Sequence, residues 1–228
     1  IDLEMSFVDR EQVMSLMERM IVTIFNKVGG VQLPTPFPRI TYAEAMGRYG
    51  SDKPDLRFEM PLHDMTAFGA ASEFKVFKDA ATKGGIVKAL IVKGGATLSR
   101  TRIDALGETA KSFGAKGLAW LKLTAEGQLE SVIAKFLDAK AFAAALPEAK
   151  PGDLVLFGAD KSAVVHDVMG RIRLLLGEEL KLIGTSAWKP LWVVDFPMLD
   201  YDVEQKRYVA IHHPFTAPLD EDLALFEA

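Results

Sequence analysis

The chain has 228 residues, of which 49% are hydrophobic and 9% aromatic, so it can form one large or two modest domains with packed cores. It has no cysteine, which excludes a disulfide framework and a cysteine-ligated zinc site. A formal net charge of −4 argues against a protein that coats nucleic acid without selectivity. No apolar run reaches the roughly 20 residues needed to span a bilayer, and no signal peptide is recognised, so we expect a cytoplasmic protein without a membrane partner.

The first residues alternate between apolar and polar side chains. They read IDLEMSF at positions 1–7, which predicts a strand with one apolar face and with Asp2 and Glu4 together on the other. Two neighbouring carboxylates are typical of a binding site, although the pattern also fits an ordinary solvent-exposed strand face. Because the strand pattern begins at Ile1, with no initiator methionine or turn residue before it, we expect the chain to be a piece of a larger protein.

A helix is predicted over residues 9–28 and a shorter one over residues 41–49. Asp9 and Gln12 can form a capping box at the start of the first helix, and apolar residues then recur at helical spacing until two glycines end it. A polar turn follows the second helix at residues 51–55, where a proline restricts the backbone. We expect the first helix to be scaffold, and on chemistry alone residues 51–55 are a polar turn fixed by Pro54.

The character of the sequence changes near Leu62, where we place the start of a second domain that extends to residue 183. Strands and helices alternate in this segment around a sheet that is expected to be mostly antiparallel, which predicts a two-layer α+β unit. The strands are predicted at residues 73–77, 85–92, 117–124, 131–137 and 153–157, and the helices within residues 99–114, 139–146 and 162–176.

This middle segment offers no convincing catalytic or metal-binding set. His166 lies in a predicted helix without a cysteine or a second histidine at ligand spacing, which favours a structural or surface role. His63, next to Asp64, is expected to serve a turn. Residues 75–122 hold ten Lys or Arg against three Asp or Glu, which predicts either a basic surface for a phosphate backbone or an ordinary solvated surface.

The last predicted strand carries two adjacent histidines. Residues 207–215 read RYVAIHHPF, and successive residues of a strand point to opposite faces, so only one of His212 and His213 can readily face a site. Adjacent strand positions cannot easily chelate one ion. We therefore do not expect a metal site there.

Four segments together resemble bacterial-type aspartyl-tRNA synthetases, which are class II enzymes. They are IDLEMSF at 1–7, YGSDKPDLR at 49–57, WVVDFP at 192–197 and HHPFTAP at 212–218, in the order of that family. The segment between them resembles the inserted GAD domain that these synthetases share with some tRNA-dependent amidotransferase subunits. The resemblance implies an α+β fold with three parts. Residues 1–61 and 184–228 would belong to the antiparallel class II catalytic sheet, and residues 62–183 would form an inserted two-layer α+β GAD-type domain.

The resemblance also implies a function, that of an aspartate–tRNA ligase. Such an enzyme activates aspartate with ATP and Mg²⁺ and transfers it to tRNA, and the full-length form is expected to be a homodimer. Asp2 would hold the substrate ammonium, Glu4 would orient neighbouring side chains, His212 would contact aspartate and His213 would pack behind it. The arginines of the family that bind ATP would lie before Ile1 and beyond Ala228, so no catalytic residue is assigned here and this piece alone is expected to be inactive.

Two other functions fit parts of the sequence. A tRNA-dependent amidotransferase subunit could carry the same inserted domain, but segments 1–7 and 212–218 count against it. A non-enzymatic module that contacts RNA would fit the basic stretch and would leave those two segments unexplained. An arginine-containing charged run ahead of Ile1 would favour the synthetase.

Overall fold

The computed structural model describes residues 3–184, 188–202, 204–211 and 216–225. Its first element is helix α1, Arg10–Gly29, which begins at the predicted capping box. The Asp9 side chain accepts a hydrogen bond from the Gln12 amide, and the Gln12 side chain accepts one from the Asp9 amide. Gly30 ends the helix in the left-handed region with φ 63°. The predicted first helix is confirmed.

The strand predicted at residues 1–7 is wrong for the part of it that the structure describes. Residues 3–5 form no regular element, and a bend follows. Leu3 and Met5 are exposed, while Phe7 is fully exposed with φ 58°. Alternation predicts a strand only if another strand and a core lie beside it, and no described strand pairs with this segment.

The two flanks of the chain pair with each other, but in the opposite direction to the one expected. Strand β1, Arg39–Thr41, precedes helix α2, Tyr42–Tyr49, and pairs in parallel with β7, Trp192–Val194. We expected an antiparallel sheet here. Parallel pairing requires a long connection between the two strands, and the whole middle segment provides one.

The middle segment contains a five-stranded sheet in which every neighbouring pair is antiparallel, as predicted. The strand order is β2-β3-β6-β4-β5. The strands are β2, Leu62–Asp64; β3, Ile86–Val92; β4, Ala119–Leu123; β5, Leu129–Glu130; and β6, Leu154–Asp160.

Helices cover both faces of this sheet, so the two-layer expectation is wrong. Two of them, α5 and α7, pack with Leu90 and Leu156 on one face, whereas α4 and α6 pack with Val87 and Phe157 on the other. Strands β3 and β6 are apolar except for Lys88 and Asp160, and strands that are mostly apolar are buried on both sides. The helices of the segment are α3, Thr66–Ala71; α4, Lys75–Thr82; α5, Arg100–Ser112; α6, Ala139–Ala145; and α7, Ser162–Glu179.

Two of the predicted strands in this segment are wrong. Residues 73–77 lead into α4, because Phe74, Phe77 and Ala80 follow the helical spacing of three residues and pack against one core. Residues 131–137 contain a short 3-10 helix, Ala134–Phe136. Short apolar runs do not distinguish a strand from a helical turn by period alone.

A β-hairpin precedes the two adjacent histidines in the chain. Strand β8, Leu199–Asp202, pairs antiparallel with β9, Arg207–Ala210, and the rings of Tyr201 and Tyr208 lie 5.3 Å apart across it. The strand predicted at 207–215 is therefore confirmed up to Ala210. The 3-10 helix Asp220–Leu225 follows later in the chain.

Candidate functional site

Three of the four predicted site residues, Asp2, His212 and His213, lie outside the described residues. Glu4 is described and exposed, in a stretch without regular structure. The described elements that lie nearest to these residues along the chain form the surroundings of the candidate site. These are the start of α1, which follows Glu4, and strands β7 and β9.

The first turn of α1 is tied to the end of β7. The Arg10 guanidinium donates to Asp195 Oδ1 at 3.0 Å. Asp195 has φ 57°, which turns the chain sharply at the end of β7. The Phe196 ring then lies 5.1 Å from the Tyr42 ring of α2. The WVVDFP segment thus holds the chain that follows Glu4 beside α2.

A second ion pair joins α1 to β1. Arg39 donates twice to Glu11, with both N–O distances 2.7 Å. These hydrogen bonds from Arg39 lower the pKa of Glu11. Since Arg39 lies opposite Trp192 in the β1–β7 register, this contact also fixes the helix against the strand pair.

Glu18 connects α1 to β7 and to the residues that lead into β1. Its Oε2 accepts from the Phe37 amide at 3.2 Å and from the Trp192 indole at 3.1 Å. One carboxylate of α1 therefore contacts the approach to β1 and also β7. We call this arrangement the flank frame, defined by Arg10, Glu11, Glu18, Arg39, Trp192 and Asp195.

The segment YGSDKPDLR forms a structured turn after α2. Ser51 Oγ accepts from the Lys53 amide at 3.0 Å, and Asp55 accepts from the Arg57 amide at 2.9 Å. The Arg57 guanidinium also contacts Asp55, at 2.6 Å, and this hydrogen bond lowers the pKa of Asp55. Lys53 and Arg57 are exposed. The turn therefore presents cationic side chains from a fixed backbone.

Arg173 of α7, which the sequence reasoning missed, holds this turn. It is 1% exposed and donates to backbone carbonyls of residues 55–60. A signal was present in the sequence, because Arg173 follows Met169 by four residues and precedes Leu176 by three, on the buried side of the helix. A charged residue at such a position is rarely buried without a specific partner.

The basic stretch at residues 75–122 does not form one free cationic surface. Seven of its ten basic side chains make an ion pair with a carboxylate of the described residues, and Lys122 donates to the Leu98 carbonyl. The pairs are Lys83–Asp79, Lys88–Asp64, Lys93–Glu59, Arg100–Asp104, Arg102–Glu179, Lys111–Glu108 and Lys116–Asp160. An ordinary solvated surface is the better interpretation.

The part of the chain that the structure describes contains neither a metal-binding cluster nor a membrane-spanning helix. No group of three or more His, Asp or Glu side chains is arranged to hold a metal ion there. None of the helices in that part is both long and apolar enough to cross a membrane.

The chain belongs to the class II tRNA synthetases of types D, K and N, a family that matches residues 1–227. It is 52% identical over 231 aligned positions to an aspartate–tRNA(Asp/Asn) ligase of Bacillus cytotoxicus, covering 100% of this chain and 39% of that protein. It is 49% identical to an aspartate–tRNA(Asp/Asn) ligase of Persephonella marina, covering 98% and 37% respectively. It is 51% identical to an aspartate–tRNA ligase of Halalkalibacterium halodurans, covering 100% and 38%. The chain thus spans 37 to 39% of the length of these relatives.

Proposed function

We propose that the chain is part of an aspartate–tRNA ligase that activates aspartate with ATP and transfers the aspartyl group to tRNA. The observation that carries this proposal is the identity of about half the residues, over nearly the whole chain, with relatives named as such ligases. The relatives reported above are ligases, so the amidotransferase-subunit and RNA-module alternatives receive no support from them. A cytoplasmic location and a homodimeric full-length enzyme are part of the proposal.

Amino-acid activation requires the aspartate α-carboxylate to be aimed at the α-phosphate of ATP, which enters as its Mg²⁺ complex. Most of the catalysis in such a step is positioning and charge stabilisation. In the proposed site Asp2 pairs with the substrate ammonium and Glu4 orients neighbouring side chains. His212 contacts the substrate aspartate, and His213 packs behind it. The flank frame supports this assignment, because it fixes the chain that follows Glu4 against β7.

Residues 62–183 are proposed to be the GAD-type inserted domain. A tolerated insertion needs its two ends close together. Met60 and Pro61, just before the segment, line the same cavity as Leu180 and Leu182 near its end. This proximity is what supports the boundaries.

The function is tested with a chimera in which this chain replaces the matching part of the Bacillus cytotoxicus ligase. We expect aspartate-dependent ATP–pyrophosphate exchange by the chimera and none by the 228 residues alone. Groups that stabilise charge on the phosphates, each worth roughly 3 kcal/mol, are expected in the remaining part of the ligase. A chimera that melts like the ligase but gives no exchange would contradict the proposal.

The site assignment is tested by substitution in the same chimera. Asp2→Ala should weaken aspartate binding by about 2–5 kcal/mol, because it leaves the substrate ammonium unpaired, while ATP binding changes much less. His212→Ala should impair aspartate use more than His213→Ala, which should mainly lower the melting temperature. Steady-state kinetics with aspartate varied, together with thermal melts, measure both effects. A larger kinetic effect at His213 would reverse the assignment of the two histidines.

A further inference from the structure

Helix α7 contacts the flank through one buried arginine. Arg173 Nε donates to the Met60 carbonyl at 2.9 Å, and its Nη2 donates to the carbonyls of Asp55 at 2.9 Å and Phe58 at 3.0 Å. A longer contact of 3.2 Å reaches the Glu59 carbonyl. One side chain of the middle segment therefore holds the backbone that follows the turn at residues 51–57.

Aromatic rings enclose the same guanidinium. Its central carbon lies 4.0 Å from the centre of the Phe58 ring and 4.9 Å from that of Tyr49. Among the described residues, no carboxylate forms an ion pair with Arg173. Its charge is thus compensated by carbonyl dipoles and ring faces, and at longer range by the Asp55 carboxylate, all of which are placed around it when residues 49–60 adopt this conformation. A buried charge is costly without its partners, so the arginine favours that conformation over others.

Glycines on either side of Arg173 allow the flank to approach the helix closely. A Cβ on Gly170 would lie 2.8 Å from the Gly50 carbonyl oxygen, and a Cβ on Gly177 would lie 2.6 Å from the Phe58 ring. Residues 170, 173 and 177 lie on one face of the helix. This face, which we call the α7 clamp, admits the Gly50 backbone at Gly170 and the Phe58 ring at Gly177, and Arg173 binds backbone carbonyls between them.

Within the described part of the chain, the turn that the clamp holds presents one cation, Lys53, that forms no ion pair. Arg48 pairs with Glu44, and Arg57 pairs with Asp55. Lys53 is exposed and makes no ion pair with any carboxylate of the described residues. Its backbone is fixed by the hydrogen bond to Ser51 Oγ and by the buried Pro54 that follows. An unpaired ammonium on a fixed backbone is suited to a phosphate oxygen.

We propose that Arg173 is a positioning residue that holds the turn at residues 51–57 so that Lys53 meets a phosphate of a substrate. This inference rests on the function proposed above. In that reaction the phosphate belongs either to ATP or to the tRNA backbone. The middle segment, which supplies no reacting group in this scheme, then acts on the reaction through α7.

The position of the turn is measured first, on the 228-residue chain itself, by amide hydrogen exchange read by mass spectrometry. Arg173→Met should speed exchange in residues 49–61 by about tenfold or more, as expected when hydrogen bonds to a charged donor are lost. Arg171→Met is the matched control. It lies two residues away on the same helix, is exposed, pairs with Asp167 and lies over the Phe113 ring, and it contacts none of the carbonyls that Arg173 binds. Equal exchange of the turn in the two variants would overturn the clamp.

Kinetics in the chimera test the consequence for the substrate. Lys53→Met should raise KM for one phosphate-bearing substrate about tenfold without lowering the melting temperature, since the side chain is exposed. Pyrophosphate exchange with ATP varied and aminoacylation with tRNA varied distinguish the two sources. Arg173→Lys should raise KM for the same substrate, because one ammonium group cannot donate to several carbonyls as the planar guanidinium does. The increase in KM for the double variant Arg173→Lys, Lys53→Met should be smaller than the product of the two single increases.

The outcomes separate this inference from the function on which it rests. A wild-type chimera without aspartate activation contradicts the function and leaves the exchange result on the turn intact. An active chimera in which Lys53→Met leaves KM for both ATP and tRNA unchanged overturns the role of Lys53. Should Arg173→Met fail to fold, the exchange measurement is made on Arg173→Lys, and unchanged exchange there would overturn the clamp.

Discussion

Glu18 is the residue through which α1 contacts both approaches to the parallel strand pair. A half-buried carboxylate that accepts from a backbone amide and from an indole leaves both donors unpaired when it is removed. Few side chains in the flanks have so much depending on them. The proposed site residue Glu4 lies in the described stretch that leads directly into this helix.

Glu18→Ala should lower the free energy of unfolding of the chain by about 1–3 kcal/mol, measured by urea denaturation. Glu44→Ala is the control, since Glu44 makes an exposed i,i+4 pair with Arg48 and its loss should cost less than about 0.5 kcal/mol. Equal losses would mean that Glu18 contributes no more than a surface charge.

At the scale of elements, α7 contains a glycine, Gly170, that weakens the isolated helix. The close approach of the Gly50 backbone nevertheless requires a glycine at this position. Alanine normally improves a helix by up to about 1 kcal/mol over glycine. At Gly170 the added Cβ would meet backbone of the preceding flank, which cannot move aside as a flexible side chain can.

Gly170→Ala should therefore destabilise the chain, whereas Gly107→Ala in α5 should stabilise it by about 0.5–1 kcal/mol. A Cβ on Gly107 meets nothing within 4 Å. Thermal and urea melts of the two variants give the signs directly. A stabilising Gly170→Ala would mean that α2 and α7 are not packed as described.

The contact of α7 with the sheet carries a pH dependence. Burial lowers the pKa of His166, and the nearby Lys88 lowers it further, while Asp64 partly opposes this. A histidine whose pKa is lower folded than unfolded binds its proton more readily in the unfolded chain. Its contribution to stability is therefore complete above the unfolded pKa of about 6.5 and is lost as the pH falls below that value.

Urea denaturation at about pH 7.5 and about pH 5.5, on either side of the unfolded pKa, should show a larger loss of stability for the natural chain than for His166→Gln. His63, whose pKa burial also lowers, remains in both proteins and contributes equally. The same loss in both would show that His166 does not titrate differently on folding.

Helix starts were predictable because their signals are local. Asp9 accepts from an amide three residues on and was recognised as a cap from the sequence, and Ser99, which caps α5 in the same way, is the first residue of a predicted helical segment. The strand prediction for residues 73–77 is wrong because the apolar residues there fit the spacing of a strand as well as that of a helix. Only the packing against the core distinguishes the two. The role of Arg173 could not be predicted, since its partners are backbone atoms more than 110 positions away. For Asp2, His212 and His213 the sequence prediction stands untested.

At the scale of the whole molecule, the position of Arg173 affects where the middle segment can be separated from the flank. A version starting at Leu62 keeps the arginine and loses its carbonyl partners at residues 55–60. A version starting at Gly50 keeps them. We expect residues 50–183 to be more stable in urea than residues 62–183 by about 3 kcal/mol, because the shorter version loses the hydrogen bonds of Arg173 and the burial of Phe58 and Met60 against α7.

The effect of Arg173→Met on the free energy of unfolding should differ between residues 50–183 and residues 62–183. Arg173→Met should destabilise residues 50–183, where it removes satisfied hydrogen bonds. In residues 62–183 it should be close to neutral, because the residues that cover the guanidinium are absent and the arginine faces water. Equal stability of both versions, with the same effect of Arg173→Met in each, would place the boundary at Leu62 after all.

The parallel pairing of β1 with β7 has a consequence for the order in which the chain folds. Roughly 150 residues separate the two strands, and bringing the ends of an unordered chain of that length together costs on the order of 4 kcal/mol beyond a constant term. Three paired residues in each strand cannot easily recover such an entropy loss. Once the middle segment has folded around the five-stranded sheet, however, Met60 and Leu182, which lie near its two ends, already line one cavity. The short flank strands then need only to meet across a nearly closed gap, so their pairing is expected to follow the sheet during folding.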